Sequence, residues 1–276
     1  MLAKEFEPDG KAASRPGFFP RTVQPKLDGV RMLANVDEGT GRFALTSRTG
    51  KPFDHLVSSF EHDLALLPRG LTLDGELYYE GAGFQRVVSL VKNTKMPDAD
   101  RERLMYNVYD VVLTGVKYAD RERFLAELFS KHRFRRFKRV PSQRAHDLRE
   151  VEAMHDEAVR NGYEGVMLRD DGGLYECGKR SGGLLKYKRF LDAEFVIVGH
   201  EEATGKDAGT VVLVCATKDG NIFNVRPMGT LQHRARMLAD AKVGRLKGKQ
   251  LTVKFQELTP DGIPRFPVGI AVRDYE

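Results

Sequence analysis

The sequence is poor in cysteine, has no tryptophan and contains no long apolar run. Its two cysteines, Cys177 and Cys215, cannot build a disulfide framework and form no C-x-x-C metal pattern, so we expect a reducing compartment. Apolar runs such as Val211–Cys215 fall far short of the roughly 20 residues that span a bilayer, which excludes a membrane-spanning helix. Without tryptophan, any stacking on a nucleobase has to come from phenylalanine, tyrosine or histidine.

The charge balance indicates an anionic partner. The 276 residues include 45 Lys and Arg against 39 Asp and Glu, a net charge of +6, and an excess of cations attracts polyanions. Six of these cations fall within residues 131–139, where Phe134 and Phe137 lie between them. Two interpretations of that segment stay open: a nucleic-acid contact, or a solvated edge strand whose phenylalanines enter the core.

Strands and helices follow one another without a regular βαβ rhythm, so the predicted fold class is α+β. Apolar residues recur at helical spacing over 53–67, and the capping residues Asp120 and Asp147 predict helices that end near His132 and Arg160. After residue 190 the pattern changes to short strands with one helix, near 231–241, which is typical of a small OB-type β-barrel. We therefore predict two domains, residues 1–190 and 191–276.

One candidate for chemistry is the segment Pro25–Arg31, which reads PKLDGVR. A lysine acts as a nucleophile only when its amine is neutral, which requires burial or neighbouring cations. Gly29 allows a close approach of the backbone, and Arg31 can hold an anion through two hydrogen bonds. In isolation the segment is equally well a hairpin turn with surface charges.

Further segments strengthen the chemical interpretation. Lys186 and Lys188 are two residues apart on a predicted strand and therefore share a face, where they would repel each other unless an anion lies between them. Glu76 and Glu164 lie on predicted strands where apolar residues are the norm, and such carboxylates usually bind a metal, a ribose hydroxyl or a cation. Together these residues indicate a site for a nucleoside triphosphate and a divalent metal. The P-loop pattern G-x-x-x-x-G-K-[ST] is absent, which disfavours a P-loop kinase or ATPase.

In their order and spacing, these segments resemble the nucleotidyltransferase motifs of the ATP-dependent DNA ligases, especially the small viral and bacteriophage forms. The motif segments are Lys26–Arg31, Ser47–Lys51, Asp74–Leu77, Tyr109-Asp110, Glu164–Arg169 and Leu184–Lys188, and the likeness extends from Gln24 to Arg273. The resemblance implies a nucleotidyltransferase (adenylation) domain followed by an OB-fold domain. It also implies sealing of 3′-hydroxyl/5′-phosphate nicks in duplex DNA.

The resemblance implies a role for each matching residue. Lys26 is the nucleophile that carries AMP, Gln24 lies at the adenine edge and Tyr109 stacks on the purine. Glu164 helps to coordinate the catalytic metal, Glu76 contacts the ribose or the metal, and Lys186 and Lys188 bind the α-phosphate. The remaining cationic and terminal positions contact phosphates of the nick or of the triphosphate: Arg31, Arg48, Arg180, Arg273 and Asp274.

Cofactors and partners follow from the same resemblance. ATP is the adenylyl donor, Mg²⁺ is the expected metal with Mn²⁺ as the alternative, and nicked double-stranded DNA is the partner of a monomeric enzyme. Candidate DNA-phosphate contacts in the barrel are Lys206, Arg226, Arg234, Arg236, Lys242, Arg245, Lys247 and Lys249. The first ten residues mix acidic and basic side chains without an apolar stretch, so the expected location is the cytoplasm of a bacterium or of a phage-infected cell.

Two other hypotheses stay open at this point. Sister families with the same lysine motif are RNA ligases and mRNA-capping guanylyltransferases, although the Arg265–Pro267 segment followed by Arg273 is untypical of capping enzymes. The third hypothesis is a nucleic-acid-binding module without catalysis. The complete set of Lys26, Glu76, Glu164, Lys186 and Lys188 argues against that module, because charge concentrated in a cleft is costly unless it is used.

Overall fold

The computed structural model of the chain describes residues 1–8, 10, 13–259 and 261–273. The chain divides into two units, residues 1–188 and 189–276, beside the boundary predicted after residue 190. None of the described helices is both long enough and apolar enough to cross a bilayer.

The first unit contains two five-stranded sheets. The first sheet has the order β1-β10-β9-β2-β8. Its strands, in chain order, are β1 (Leu2–Glu5), β2 (Arg21–Lys26), β8 (Gln143–Ala145), β9 (Gly165–Arg169) and β10 (Arg180–Tyr187). Helix α4 (Leu148–Arg160) covers one face, where Val151 and Ala158 pack among Val23 and Leu168. The side chains that alternate with this core point to the opposite face of the sheet.

The second sheet has the order β4-β3-β5-β6-β7. Its strands are β3 (Val30–Val36), β4 (Phe43–Ser47), β5 (Thr72–Tyr78), β6 (Met105–Val111) and β7 (Phe137–Arg139). Helices α1 (Val57–Leu64), α2 (Phe84–Lys92) and α3 (Tyr118–Lys131) contribute apolar side chains to its core. Along β5, Leu73 and Leu77 enter this core while Glu76 lies on the other face, as the two-residue period of a strand requires.

Of the two predicted helix caps, the structure shows one. Asp147 caps α4, because its carboxylate accepts a hydrogen bond from the Glu150 N–H at 2.9 Å, as predicted. The prediction that Asp120 caps α3 is wrong: the helix begins two residues earlier, at Tyr118, with Lys117 in the cap position. Asp120 lies instead in the first turn, where a negative charge is favourable to the helix dipole.

The basic segment 131–139 is an edge strand and the turn before it. Phe137 is buried and Phe134 packs against the same core, which confirms the interpretation that the phenylalanines enter the interior. The buried carboxylate of Asp63, on α1, accepts hydrogen bonds from three consecutive backbone N–H groups, those of Arg135, Arg136 and Phe137, at 2.6–2.9 Å. This one carboxylate therefore fixes the start of β7 against α1.

The second unit is a closed barrel with strand order β11-β12-β13-β15-β14. Its strands are β11 (Leu191–Glu202), β12 (Val211–Ala216), β13 (Ile222–Pro227), β14 (Gln250–Phe255) and β15 (Val268–Arg273). Helix α5 (Leu231–Lys242) contributes Leu238 and Ala241 to the barrel core, beside Val211, Leu213 and Val253. The small barrel with one helix that the sequence predicts is confirmed.

Removing the Asp63 carboxylate should destabilise the first unit. In Asp63→Ala, three backbone N–H groups, one of them buried and two part-buried, lose a charged acceptor. Hydrogen bonds to charged groups contribute about 1.5–3 kcal/mol each, so we expect the free energy of unfolding to fall by at least about 2 kcal/mol. Calorimetry of the full chain should show a lower Tm for the unfolding of the first unit. Glu61→Ala, an exposed position on the same helix, is the control, and an equal loss of Tm in both variants would contradict this role.

Candidate active site

Strands of both sheets in the first unit line a cleft of about 240 Å³. Two strands of the first sheet supply Gln24, Lys26 and Lys186, and the second sheet supplies Arg31 and Glu76. Arg48, just after β4, and Tyr109, on β6, complete the set of predicted residues that line it. Seven side chains singled out in the sequence thus converge on one cleft.

Lys26, in the lining of the cleft, belongs to a cluster in which one carboxylate is held by two ammonium groups; the other two members, Glu164 and Lys188, are not among the residues that line the cleft. Glu164 Oε2 is paired with Lys26 Nζ, and Glu164 Oε1 accepts a hydrogen bond from Lys188 Nζ at 2.9 Å. The backbone repeats the connection, because the Glu164 N–H donates to the Lys26 carbonyl at 3.0 Å. Glu164 immediately precedes β9 and Lys188 immediately follows β10, so both lie just past the strand ends and not within strands as predicted.

The expectation that Lys186 and Lys188 share an anion is not what the structure shows. Lys186 Nζ lies 2.9 Å from Glu5 Oε2 on β1, whereas Lys188 pairs with Glu164. Lys186 and Lys188 therefore pair with different carboxylates, and each carboxylate offsets the positive charge of one of these two lysines. Strand β1 runs parallel to β10 with Glu5 opposite Lys186, and sequence reasoning did not identify this strand.

Burial and charge tune the two central groups. Burial, followed by the positive charge of Lys188, lowers the pKa of Lys26 from 10.5 to about 8. Burial, with Asp74 and Asp28 adding to it, raises the pKa of Glu76 to about 8 against the opposing charge of Lys26. The Glu76 carboxylate makes no hydrogen bond or ion pair with any described residue. The cleft thus holds a lysine that loses its proton more readily than usual and a carboxyl group without a partner.

A buried network fixes Gln24 at the inner end of the cleft. The Gln24 side chain is 3% exposed, and its Oε1 accepts a hydrogen bond from Arg169 Nε at 2.8 Å. Arg169 also donates to Asp110 Oδ2 at 2.6 Å, and Arg121 donates to both oxygens of that carboxylate. Because the amide oxygen is engaged, the Gln24 amide NH₂ is the part of this side chain that remains for a ligand.

A second network immobilises Arg31. Its guanidinium forms a two-point ion pair with Asp74, at 2.8 and 2.7 Å, and donates to the Met1 carbonyl at 2.7 Å. The Tyr175 hydroxyl donates to the same Asp74 carboxylate at 2.7 Å. Arg31 is therefore a fixed guanidinium in the wall of the cleft, with its charge balanced by Asp74.

The glycines of the two main motifs stand where neighbouring strands come closest. A Cβ at Gly29 would lie 2.2 Å from the Leu77 carbonyl oxygen and 2.8 Å from the Glu76 side chain. A Cβ at Gly165 would lie 2.4 Å from the Tyr187 carbonyl oxygen, and Gly165 also has a φ of +148°. Both positions require glycine, and both close contacts join the strands that carry the charged groups.

Other predicted residues lie at the edge of the cleft or outside it. Arg48 is exposed and has no hydrogen bond or ion pair with a described residue. Arg180 lines an adjoining cleft of about 670 Å³, which Arg31, Arg48 and Lys186 also line, and it donates to the Ala3 carbonyl at 2.7 Å. The first unit therefore brings these four cations to two adjoining clefts.

The barrel positions are described by themselves. Arg273 donates to Thr252 Oγ1 at 2.8 Å and lies 3.5 Å from Glu194, whereas Asp274 is outside the described residues. The prediction of Arg234 as a phosphate contact is corrected: it is 9% exposed and pairs with Asp207. Other candidates in the barrel also have carboxylate partners, namely Arg226, Lys242 and Arg245.

Sequence reasoning missed the residues that hold the site in shape. Asp74, Asp110 and Arg169 are all buried charged residues inside the motif segments. The available signal was a charged residue within an otherwise apolar strand, the same signal that identified Glu76. Met167, which also lines the cleft, carried no signal because a methionine in a strand looks like ordinary core.

Comparison with known proteins identifies the family. Residues 1–188 match the family model described as "ATP dependent DNA ligase domain", and residues 204–273 match the one described as "DNA ligase OB-like domain". A DNA ligase of African swine fever virus (isolate Pig/Kenya/KEN-50/1950) is 30% identical over 292 residues, which cover 99% of this chain and 68% of the viral protein. The chain spans 63–68% of the length of the viral ligases that it matches.

Solved structures agree with this assignment. A Lig E DNA ligase, from work on DNA binding with a minimal scaffold, matches with a TM-score of 0.77 and 25% identity and covers 99% of this chain and 98% of its own. A Chlorella virus DNA ligase–adenylate matches with a TM-score of 0.55 and 26% identity, covering 100% of this chain and 98% of its own. By its family models, its sequence relatives and its fold, the chain belongs to the ATP-dependent DNA ligases.

Proposed function

We propose that this protein seals 3′-hydroxyl/5′-phosphate nicks in duplex DNA with ATP, through AMP bound covalently to Lys26. The observation that carries the proposal is the Lys26–Glu164–Lys188 cluster, in which a partly buried lysine has a pKa of about 8. At pH 7 roughly one such amine in ten is neutral, against about one in 3,000 for an unperturbed lysine. The site thus offers a nucleophile at neutral pH.

In the first step, Lys26 Nζ attacks the α-phosphorus of ATP, the new P–N bond forms and pyrophosphate leaves. The amine loses a proton in this step, and Glu164, already hydrogen-bonded to that amine, is the acceptor. Lys186 and Lys188 then stabilise charge on the α-phosphate. Displacements at phosphorus depend mainly on such positioning and charge stabilisation.

The adenosine part of ATP fits the inner end of the same cleft. The free NH₂ of Gln24 faces the adenine edge, Tyr109 stacks on the purine and Glu76 contacts the ribose. In the next steps the adenylyl group passes to the 5′-phosphate of the nick, and the 3′-hydroxyl then displaces AMP. The cations for the phosphates in those steps are Arg31, Arg48 and Arg180. Of these, Arg31 and Arg180 are held by hydrogen bonds.

A divalent metal fits the residues that are present. The described residues contain no cluster of three or more His, Cys, Asp or Glu side chains, but Mg²⁺ commonly uses one or two carboxylates together with substrate phosphates and water. Glu76 is a carboxyl group without a partner, and its proton would leave when it bound a metal, whereas Glu164 becomes available only when the two lysines turn to the substrate. Mg²⁺ held by these two residues would neutralise charge on the phosphates, and Mn²⁺ is the alternative.

We further propose that the enzyme is a monomer that acts on nicked duplex DNA and that the barrel grips the DNA backbone. Three of the barrel candidates make no ion pair with a described residue, namely Lys206, Arg236 and Lys247. Binding through such cations weakens steeply as salt rises.

Lys26→Ala should abolish formation of the AMP adduct. With ATP and Mg²⁺, mass spectrometry of the unsubstituted protein should show one added AMP on Lys26, and the variant should show none because no other amine replaces the nucleophile. Each NTP is tested in turn, followed by sealing of nicked DNA and nicked RNA duplexes. Labelling by GTP, or sealing of RNA alone, would favour the capping-type or RNA-ligase alternative.

The pH dependence of adenylation should report the pKa of Lys26. The rate is expected to rise with pH and to level off above about pH 8, because only the neutral amine reacts. In Lys188→Met a positive neighbour is lost, so the pKa of Lys26 rises and the plateau moves to higher pH. Lys4→Met, an exposed lysine of β1, is the control, and an unchanged profile in Lys188→Met would refute the electrostatic role.

Removing residues 273–276 should affect lysine adenylation more than later steps. The family resemblance assigns Arg273 and Asp274 to the triphosphate, which is present only in the first step. Adduct formation from ATP should therefore fall by more than about tenfold, while sealing of pre-adenylated nicks falls less. Equal losses in the two assays would show that the segment serves the barrel as a whole.

A further inference from the structure

A further cleft of the first unit, of about 510 Å³, has no role in the mechanism above. Leu27, the residue after the nucleophile, lines both this cleft and the nucleotide cleft. The tyrosines, cations and amide of the further cleft are chiefly Tyr78, Tyr163, Arg103, Lys138 and Asn107. Aromatic rings interleaved with cations are the usual composition of a surface that binds a nucleic-acid strand.

The sheet register connects this cleft to the reactive centre. Arg31, Glu76, Asn107 and Lys138 are paired in sequence across β3, β5, β6 and β7, so they form one row on one face of the sheet. Neighbouring strands lie about 4.8 Å apart, which puts the Lys138 backbone about 10 Å from that of Glu76. Arg31 and Lys138 therefore flank Glu76 from opposite sides.

Lys138 is the cation of the basic segment that is free to act in this cleft. Arg136 donates to the carbonyls of Ser59 and Leu104, and Arg139 pairs with Glu122. Lys138 is exposed and makes no hydrogen bond or ion pair with a described residue. Arg136 and Arg139 are thus engaged in contacts within the fold, whereas the Lys138 ammonium group remains for a ligand.

The aromatic part of the cleft adjoins the nucleophile. The rings of Tyr78 and Tyr163 have centroids 6.3 Å apart and an interplanar angle of 36°. Tyr163 directly precedes Glu164, and neither hydroxyl has a hydrogen-bond partner among the described residues. Both rings are only partly buried, so they offer a face to a base or a sugar.

Two carboxylates also line the cleft, those of Glu80 and Glu102, together with the cation Arg103. Both carboxylates lie outside the paired strands, because β5 ends at Tyr78 and β6 begins at Met105. Lys138, in contrast, lies in the row of paired residues that contains Glu76. Among the cations of this cleft, Lys138 is therefore the one in register with the reactive centre.

We propose that this cleft holds the 3′-hydroxyl strand of the nick, with Lys138 on its last phosphodiester and Tyr78 and Tyr163 against its terminal nucleotide. The proposal rests on the proposed DNA-joining function. Arg48 and Arg180, on the other side of the reactive centre, are assigned there to the 5′-phosphate. Because the two strand ends meet at one phosphorus, the 3′-hydroxyl end approaches from the side of Lys138.

The first test measures binding to a nicked duplex with a dideoxy 3′ end, which cannot be sealed, over a range of salt concentrations. Lys138→Ala should raise Kd about 3–10-fold and reduce the slope of log K against log salt by about 1, the effect of one lost phosphate contact. Lys138→Arg, which keeps the positive charge, should have the Kd and the salt slope of the unsubstituted protein. Adduct formation with ATP should not change, because the nucleotide cleft is intact.

The matched control is Arg135→Ala, which removes a cation from the same basic segment but outside the cleft. If it changes the salt slope as much as Lys138→Ala does, the effect is a general loss of charge and the proposal is overturned. If the unsubstituted protein forms the AMP adduct but neither binds nor seals nicked DNA, the proposed DNA-joining function is wrong. That outcome differs from failure of the Lys138 assignment, in which the unsubstituted protein still binds and seals nicked DNA.

The second test locates the phosphate. An uncharged methylphosphonate at the last phosphodiester of the 3′-hydroxyl strand should weaken binding by the unsubstituted protein as Lys138→Ala does, with no further loss when the two changes are combined. The same linkage in the 5′-phosphate strand or in the continuous strand should leave the Lys138 effect intact. An additive loss at the 3′ position would overturn the assignment.

Discussion

Glu164 lies between the ammonium groups of Lys26 and Lys188, and the geometry of the site depends on that pairing. The three charges come from the ends of β2, β9 and β10, which are adjacent in the first sheet, and a register slip of one residue would turn each side chain to the other face. A buried carboxylate needs hydrogen-bond donors or cations around it, and Glu164 has two ammonium groups. When both lysines are protonated, this cluster of three residues carries one net positive charge, which suits a phosphate.

Much of this arrangement was predictable from sequence because strand periodicity and motif order constrain it. The lysine motif, the carboxylates on strands and the change of pattern near residue 190 indicate both the fold class and the family, and the family comparisons agree. The basic segment 131–139 was ambiguous, because the same spacing of Phe134 and Phe137 suits a nucleic-acid contact and an edge strand. Only the observed core decided that the rings are buried.

What the sequence could not supply were the partners of each charge. Nothing in the spacing of Lys186 and Lys188 indicates that one pairs with Glu5 and the other with Glu164, because that depends on a parallel strand contributed by residues 2–5. In the same way, Asp63 looks like an ordinary polar residue of an amphipathic helix, yet it accepts three backbone hydrogen bonds from a segment more than 70 residues away. Contacts of this length leave no local pattern.

Leu27 lines both the nucleotide cleft and the cleft that contains Lys138. A change of side-chain size at this position would therefore alter the lining of both clefts together. Inhibitors designed to grow outward from the purine would meet this side chain first, and those that displace it would gain a second anchoring region that nucleotide mimics do not reach. A resistance substitution at position 27 would be expected to lower activity as well, because the same side chain lines both clefts.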